Sequence, residues 1–170
     1  LWLTLEPMVM LYRGDVQAAW YQSLEKRERY LRSVQNRIMT PGVIELLMCG
    51  VATAACLRTT DPRERRQLER AAKRLARGAR RIRMAAPGVP AACLACLGGD
   101  REGAIAALRR QLQKPLLPLY AHATRRRLGE LLGDEEGKAL IDEVDALLRA
   151  GGVIDPQRFT AVMMPGLELP

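Results

Sequence analysis

The sequence predicts an all-α protein built from stacked antiparallel helical hairpins. Apolar residues recur at helical spacing, and no run alternates cleanly at period two. Helix-start signals punctuate the chain at intervals of one helix or one hairpin. Aromatics make up only 4% of a chain that is 48% hydrophobic, with Phe159 the sole Phe. Ala and Leu must therefore fill the core, which suits closely packed helices. At 170 residues the chain can bury a proper core without a disulfide or metal staple. It reads as one helical-repeat-like domain over 1–170, with about eight helices and no sheet.

The elements follow in order. Leu1 to Tyr12 is apolar, with Pro7 in the middle. A domain usually starts on polar or capped residues, so the chain is expected to be the C-terminal part of a longer protein. Asp15, after Gly14, can cap a helix running to about Arg37. Thr40-Pro41 pairs an N-cap with proline at the first helical position and opens the next helix. From there to Arg58 the only charge before the arginine is Glu45. That helix would be about 17 residues, short of the roughly 20 that span a bilayer. Glu45 would also cost on the order of 3 kcal/mol at bilayer depth, so a buried helix is expected and no membrane span.

Asp61-Pro62 opens a further helix. Gly98-Gly99-Asp100 ends one helix and caps another, and Lys114-Pro115 and Gly133-Asp134 do the same. Hairpin turns are thus predicted near Gly14, Arg58 to Asp61, Gly98 to Asp100, and Gly133. Between them Leu68, Ala71, Ala72, Leu75, Ala79 and Ile82 share one face. Leu128, Leu131 and Leu132 share another, as do Ala139, Leu140, Val144, Leu147 and Leu148.

Gly99-Asp100-Arg101-Glu102-Gly103 recurs as Gly133-Asp134-Glu135-Glu136-Gly137, at an offset of 34 residues. That is the length of a tetratricopeptide unit. Arg13-Gly14-Asp15 has the same turn signature, but the intervals to and from Asp61 are too long for strict repeats. The predicted architecture is therefore a degenerate tetratricopeptide-like array or α-superhelix.

Several stretches stand out together: Leu11-Tyr12-Arg13-Gly14-Asp15 with Ala18-Ala19-Trp20, Gly98 to Leu108, and Tyr120-Ala121 with Arg125 to Gly133. The ending adds Gly137 to Ala146, Gly152, Asp155-Pro156, Arg158, and Met163 to Gly166. These stretches resemble the C-terminal helical region of large bacterial serine/threonine protein kinases. The resemblance rests on scattered positions and concerns the tail alone. It implies an interaction or regulatory region in a signalling protein and no catalytic residue in this chain. The Arg-rich basic complement, with only four lysines, reads as GC-rich coding and points the same way, to a bacterial source.

No catalytic machinery is recognisable. A kinase needs a glycine-rich phosphate loop, a phosphate-pairing lysine and metal-binding Asp residues, and a P-loop needs Gly-Lys-Ser/Thr. The sequence has neither set. His122 is the only His, and it reads as a helix-surface or core residue. Cys93 and Cys96 have CxxC spacing, while Cys49 and Cys56 share a helix face. The four thiols could form a zinc site if their helices met, or a redox pair. Each lies among Ala, Leu and Met in a helix interior, so packing as small hydrophobes is expected. No cofactor and no metal are predicted, and free thiols suit a reducing cytoplasm.

Function is expected to lie in binding. From Asp61 to Met84, ten basic residues face only Asp61, Glu64 and Glu69, which leaves this stretch +7 of the formal net charge of +8. Its apolar stripe faces the core, so Arg66, Arg70, Arg74, Arg77 and Arg81 crowd the outer face. Such a stripe can be a solvated face paired with acidic helices nearby, or it suits an acidic protein, an anionic membrane surface, or nucleic acid in a regulator built on helix 61–84. No aromatic is interleaved for base stacking, which favours a protein or peptide partner. Tyr12 and Tyr21 are candidate anchors near one end, with Trp20 and Tyr30 beside them, and Trp20 is expected in the core. Side chains on the inner helices of the stack would line a groove for a peptide or helix. The sequence leaves the partner and the oligomeric state open.

Overall fold

The computed structural model describes residues 2–32, 43–81, 88–114 and 117–168, with the side chains of 2–4, 30, 31, 43, 44, 80 and 81 left out. The described residues form nine helices and no strand: α1 (Trp2–Arg13), α2 (Val16–Arg32), α3 (Val43–Arg58), α4 (Pro62–Arg81), α5 (Gly88–Leu97), α6 (Arg101–Leu112), α7 (Pro118–Leu132), α8 (Glu135–Ala150) and α9 (Pro156–Met163). Successive helices pair as hairpins α1/α2, α3/α4, α5/α6 and α7/α8. Each hairpin packs on the next through α2 with α3, α3 and α4 with α5, and α6 with α7. This is the hairpin stacking of a tetratricopeptide-like array.

All four predicted turns are the tips of these hairpins. Gly14, Gly99 and Gly133 take positive φ, and each is followed by an Asp that caps the next helix. Asp100 accepts from the Gly103 amide and Asp134 from the Gly137 amide, both at 2.8 Å. The recurring pentapeptide is therefore one left-handed turn joined to one N-cap, used twice. Arginines tie turns of neighbouring hairpins together. Arg58 donates to the Gly14 carbonyl, and Arg101 donates to the Leu131 and Leu132 carbonyls at the end of α7.

Three expectations need correction. The helix assigned to Lys114-Pro115 starts at Pro118, with Leu117 as its cap and no side-chain cap bond. Pro118 holds the first helical position, where its missing N–H costs nothing, and Pro115 lies outside the described residues. On α8, Ala139 and Leu147 are exposed. Its buried side runs instead through Gly137, Val144 and Leu148. The third is α9, to which no sequence signal is assigned and which brings the helices among the described residues to nine, beside the about eight expected. Thr40-Pro41, the continuation of α2 toward Arg37, and Ile82 fall outside the described residues.

α3 is the hub of the fold. Every residue from Met48 to Cys56 is buried, so this helix is covered all round by α2, α4 and α5. No helix among the described residues is long and apolar enough to cross a membrane.

The last described residues complete the core. α9 lies against α1, α7 and α8. Beyond it Met164, Pro165, Gly166 and Leu167 are all buried. Pro165 crosses α3 at Gly50, where an added Cβ would stand 2.6 Å from the Pro165 carbonyl oxygen. The same carbonyl faces the Cys93 thiol of α5 at 3.9 Å. Gly166 has φ +75 and lies over Thr53. The face lined by α1, α3, α5 and α7, which an open array presents to a peptide, is here occupied by the chain itself.

Candidate functional site

Among the described residues, two clefts differ in how their charges are disposed. The first, about 720 Å³, lies between α1, the end of α3, α7 and α9. Its charges are mostly paired internally. Arg58 meets Glu168 at 3.1 Å. Arg127 donates Nε to the Met164 carbonyl at 3.0 Å and Nη1 to Glu130 at 2.6 Å. Its Nη2 faces Glu168 at 3.5 Å, an ion pair without hydrogen-bond geometry. Arg158 pairs with Asp155 at 3.3 Å, and its guanidinium lies 5.8 Å from the centre of the Tyr12 ring. This cleft is a clasp that holds the C-terminal segment on the array.

The second cleft, about 670 Å³, opens between α2 and α4 above α3. Trp20, Leu24, Met48, Leu68, Ala71 and Leu75 give it an apolar lining. Trp20 is 7% exposed and belongs to the core, but Tyr21 is 57% exposed and Leu24 44%. Tyr21 donates its hydroxyl to Glu64 across the cleft at 3.0 Å. That bond is the main reason its phenol is held above the ordinary range. Glu64 also accepts from Thr59. At the floor, one carboxylate oxygen of Glu45 is enclosed without a hydrogen-bond partner.

Arg27, Arg74 and Arg77 stand around this cleft. Helix α4 carries the basic stretch, and the structure leaves it unneutralised. Among the described residues no acidic side chain forms an ion pair with Arg63, Arg65, Arg66, Arg70, Arg74 or Arg77, whereas Lys73 pairs with Glu69 at 2.5 Å. The candidate residues therefore divide. Tyr21, Arg74 and Arg77 meet at one cleft. Arg66 and Arg70 are exposed on α4 but do not line it. Tyr12 lies in the clasp, and the Arg81 and Tyr30 side chains are outside the described residues.

The thiols are core. Cys49, Cys56, Cys93 and Cys96 are all free and buried. Although α3 and α5 do meet, no group of three His, Cys, Asp or Glu among the described residues could hold a metal ion. The Cys56 thiol donates to the Arg65 carbonyl at 3.4 Å. Its hydrogen bond with Cys49, together with burial, holds Cys93 well above the usual thiol range. Burial pushes Cys96 up to about 11. Cys93 and Cys96 therefore stay protonated at neutral pH and are poor nucleophiles, whereas the same Cys49–Cys93 hydrogen bond holds the Cys49 thiol below its ordinary value. His122 is half-buried on α7 with its Nδ1 enclosed and unpartnered.

A pH dependence follows from Cys96. Its folded pKa of about 11 exceeds the ordinary value of 9.0. The stability it contributes is therefore complete below pH 9 and is lost as pH rises through about 11. Urea midpoints are expected to fall across that window, and to fall less in Cys96→Ala. An equal decline in both proteins would reject the assignment.

Sequence reasoning missed Arg127 and Glu168, which fasten the C-terminal segment, and Leu24, which lines the open cleft. Leu24 was accessible as an apolar residue one turn beyond Trp20 on a polar helix. Nothing local marks Arg127, because Arg125, Arg126 and Arg127 look alike until the neighbouring helices are placed. Searches of family models, curated proteins and solved structures find no match to this chain.

Proposed function

We propose that this chain is a non-catalytic protein-interaction module that receives a segment of a partner protein in the α2–α4 cleft. The observation that carries this reading is a contrast between two faces. The inner face of the array is filled by Met164 to Leu167, while the α2–α4 cleft combines exposed apolar side chains with unpaired arginines. Exposed apolar surface rimmed by charge is the signature of a docking site. We further propose, from the resemblance of the Gly-Asp turns, Arg125 to Gly133 and the Met163 to Gly166 ending, that the module serves as the tail of a bacterial serine/threonine protein kinase.

A photoreactive phenylalanine at position 21 tests the interaction reading in cells of the source organism. A discrete protein adduct is expected from Tyr21, and none from the same group at Ile154, which is 93% exposed and far along the chain. Equal labelling at both positions, or none at position 21, would remove the cleft as an interaction site.

A further inference from the structure

Resting on that reading, we infer that the α2–α4 cleft takes an acidic amphipathic helix of about four turns. The shape comes from two facing stripes. Trp20, Leu24 and Arg27 lie at i, i+4 and i+7 on α2, and Glu64, Leu68, Ala71, Leu75 and Gly78 follow the same period on α4. Met48 of α3 lies between them. Two such stripes on either side of the α3 floor form a trough that can accept the ridge of a third helix. From Glu64 to Gly78 the stripe runs about 21 Å at 1.5 Å per residue, the length of about four helical turns.

Charge selects the occupant. Arg27 on one wall and Arg74 and Arg77 on the other have no acidic partner among the described residues. Of the two acidic groups in the cleft, Glu64 is already engaged by Tyr21 and Thr59. Glu45 lies at the floor with one carboxylate oxygen enclosed, away from the rim where the arginines stand. Beyond the rim, Arg63, Arg66 and Arg70 extend the same positive field along α4. A helix with leucines on one face and glutamates on both flanks would bury its apolar ridge in the trough and give those arginines carboxylates to pair with. A basic helix would meet like charge on both walls. Duplex DNA would meet the arginines but leave the apolar trough unfilled.

Trp20 supplies the readout. In a Trp2→Phe background it is the sole tryptophan, and it lines the trough. The probes are a 15-residue helical peptide with leucines at i, i+4, i+7 and i+11 and glutamate flanks, its lysine-flanked counterpart, a scrambled acidic peptide, and a 20-base-pair duplex. The acidic helix is expected to shift Trp20 emission and to bind at least about ten-fold tighter than the other three at 150 mM salt. Arg74→Glu with Arg77→Glu should lower that affinity about ten-fold or more, and Leu24→Asp should abolish it. Arg110→Glu, on α6 outside both clefts, should leave it unchanged.

Equal binding of the lysine peptide, or no response to any peptide, overturns the inference. So does sub-micromolar duplex binding that is lost in an Arg70→Glu, Arg74→Glu, Arg77→Glu variant and falls steeply with salt. If the acidic helix fails while the Tyr21 cross-link still captures a protein, the partner's chemistry is wrong and the interaction reading stands. If both fail, both are wrong.

Discussion

Arg127→Ala is expected to destabilise the fold by about 2–3 kcal/mol. That is less than the loss of one member of a fully buried ion pair, because Glu130 and Glu168 are 26% and 36% exposed and keep Arg126 and Arg58 as partners. The Arg127 side chain is 5% exposed and serves three groups at once: the Met164 carbonyl, Glu130 and Glu168. Truncation takes the donor from a buried carbonyl and empties the space filled by the aliphatic stem. Arg127→Lys should recover only part of the loss, because a point charge cannot reproduce a planar fork that donates to the Met164 carbonyl and Glu130 while facing Glu168. Arg125→Ala two positions earlier is the control. Arg125 is 46% exposed and reaches Glu143 at 3.9 Å, so its loss should cost less than about 1 kcal/mol. Urea denaturation of the three variants gives the comparison. Similar costs for Arg125→Ala and Arg127→Ala would show that Arg127 does not fasten the C-terminal segment.

Gly50→Ala should act on the same segment from below. The new Cβ would stand 2.6 Å from the Pro165 carbonyl oxygen and 2.8 Å from its Cγ. Neither is the end of a flexible side chain, so the segment must move. The expected cost is about 1–3 kcal/mol from overpacking, and larger if Leu167 leaves the core. Amide exchange at residues 164–167 should quicken more than elsewhere. Gly98→Ala is the matched control, since its Cβ would find the Ala95 carbonyl at an ordinary 3.5 Å. The Gly50→Ala, Arg127→Ala double variant should cost less than the two singles added, because either change frees the same residues. Strict additivity would mean that the two act through separate parts of the fold.

The hairpin tips were legible in the sequence because their chemistry is local. Gly14-Asp15, Gly99-Asp100 and Gly133-Asp134 each pair a residue that tolerates positive φ with a carboxylate that caps the next helix. Those two needs are met within five residues, so the signal survives without the rest of the fold. The core role of Met164-Pro165-Gly166-Leu167 was not legible. Met-Pro-Gly reads as an ordinary loop, and only the placement of Gly50, Cys93 and Arg127 on three different helices shows why these residues belong there. Leu147 fails for a related reason. Helical period places it beside Val144 and Leu148, but α7 covers only one side of that stripe, and Leu147 remains 47% exposed. At the candidate site the aromatic at Tyr21 and the arginines of α4 could be read directly. The trough that joins them depends on the spacing of α2 and α4, which no local pattern encodes.

The contact between α9 and α1 has a consequence for how this architecture can vary over evolution. In an open array each unit touches only its neighbours, so recombination can duplicate or delete a unit and leave both ends intact. Here α9 must reach α1 and α7 at once, while Pro165 spans α3 and α5. A hairpin inserted between α1 and α9 would carry α9 out of reach of α1, and loss of α3/α4 or α5/α6 would remove a wall of the space that Pro165 fills. The number of units between α1 and α9 is therefore constrained by closure, and divergence within that span is left to helix lengths and connecting segments, where the intervals between turns already depart from 34 residues.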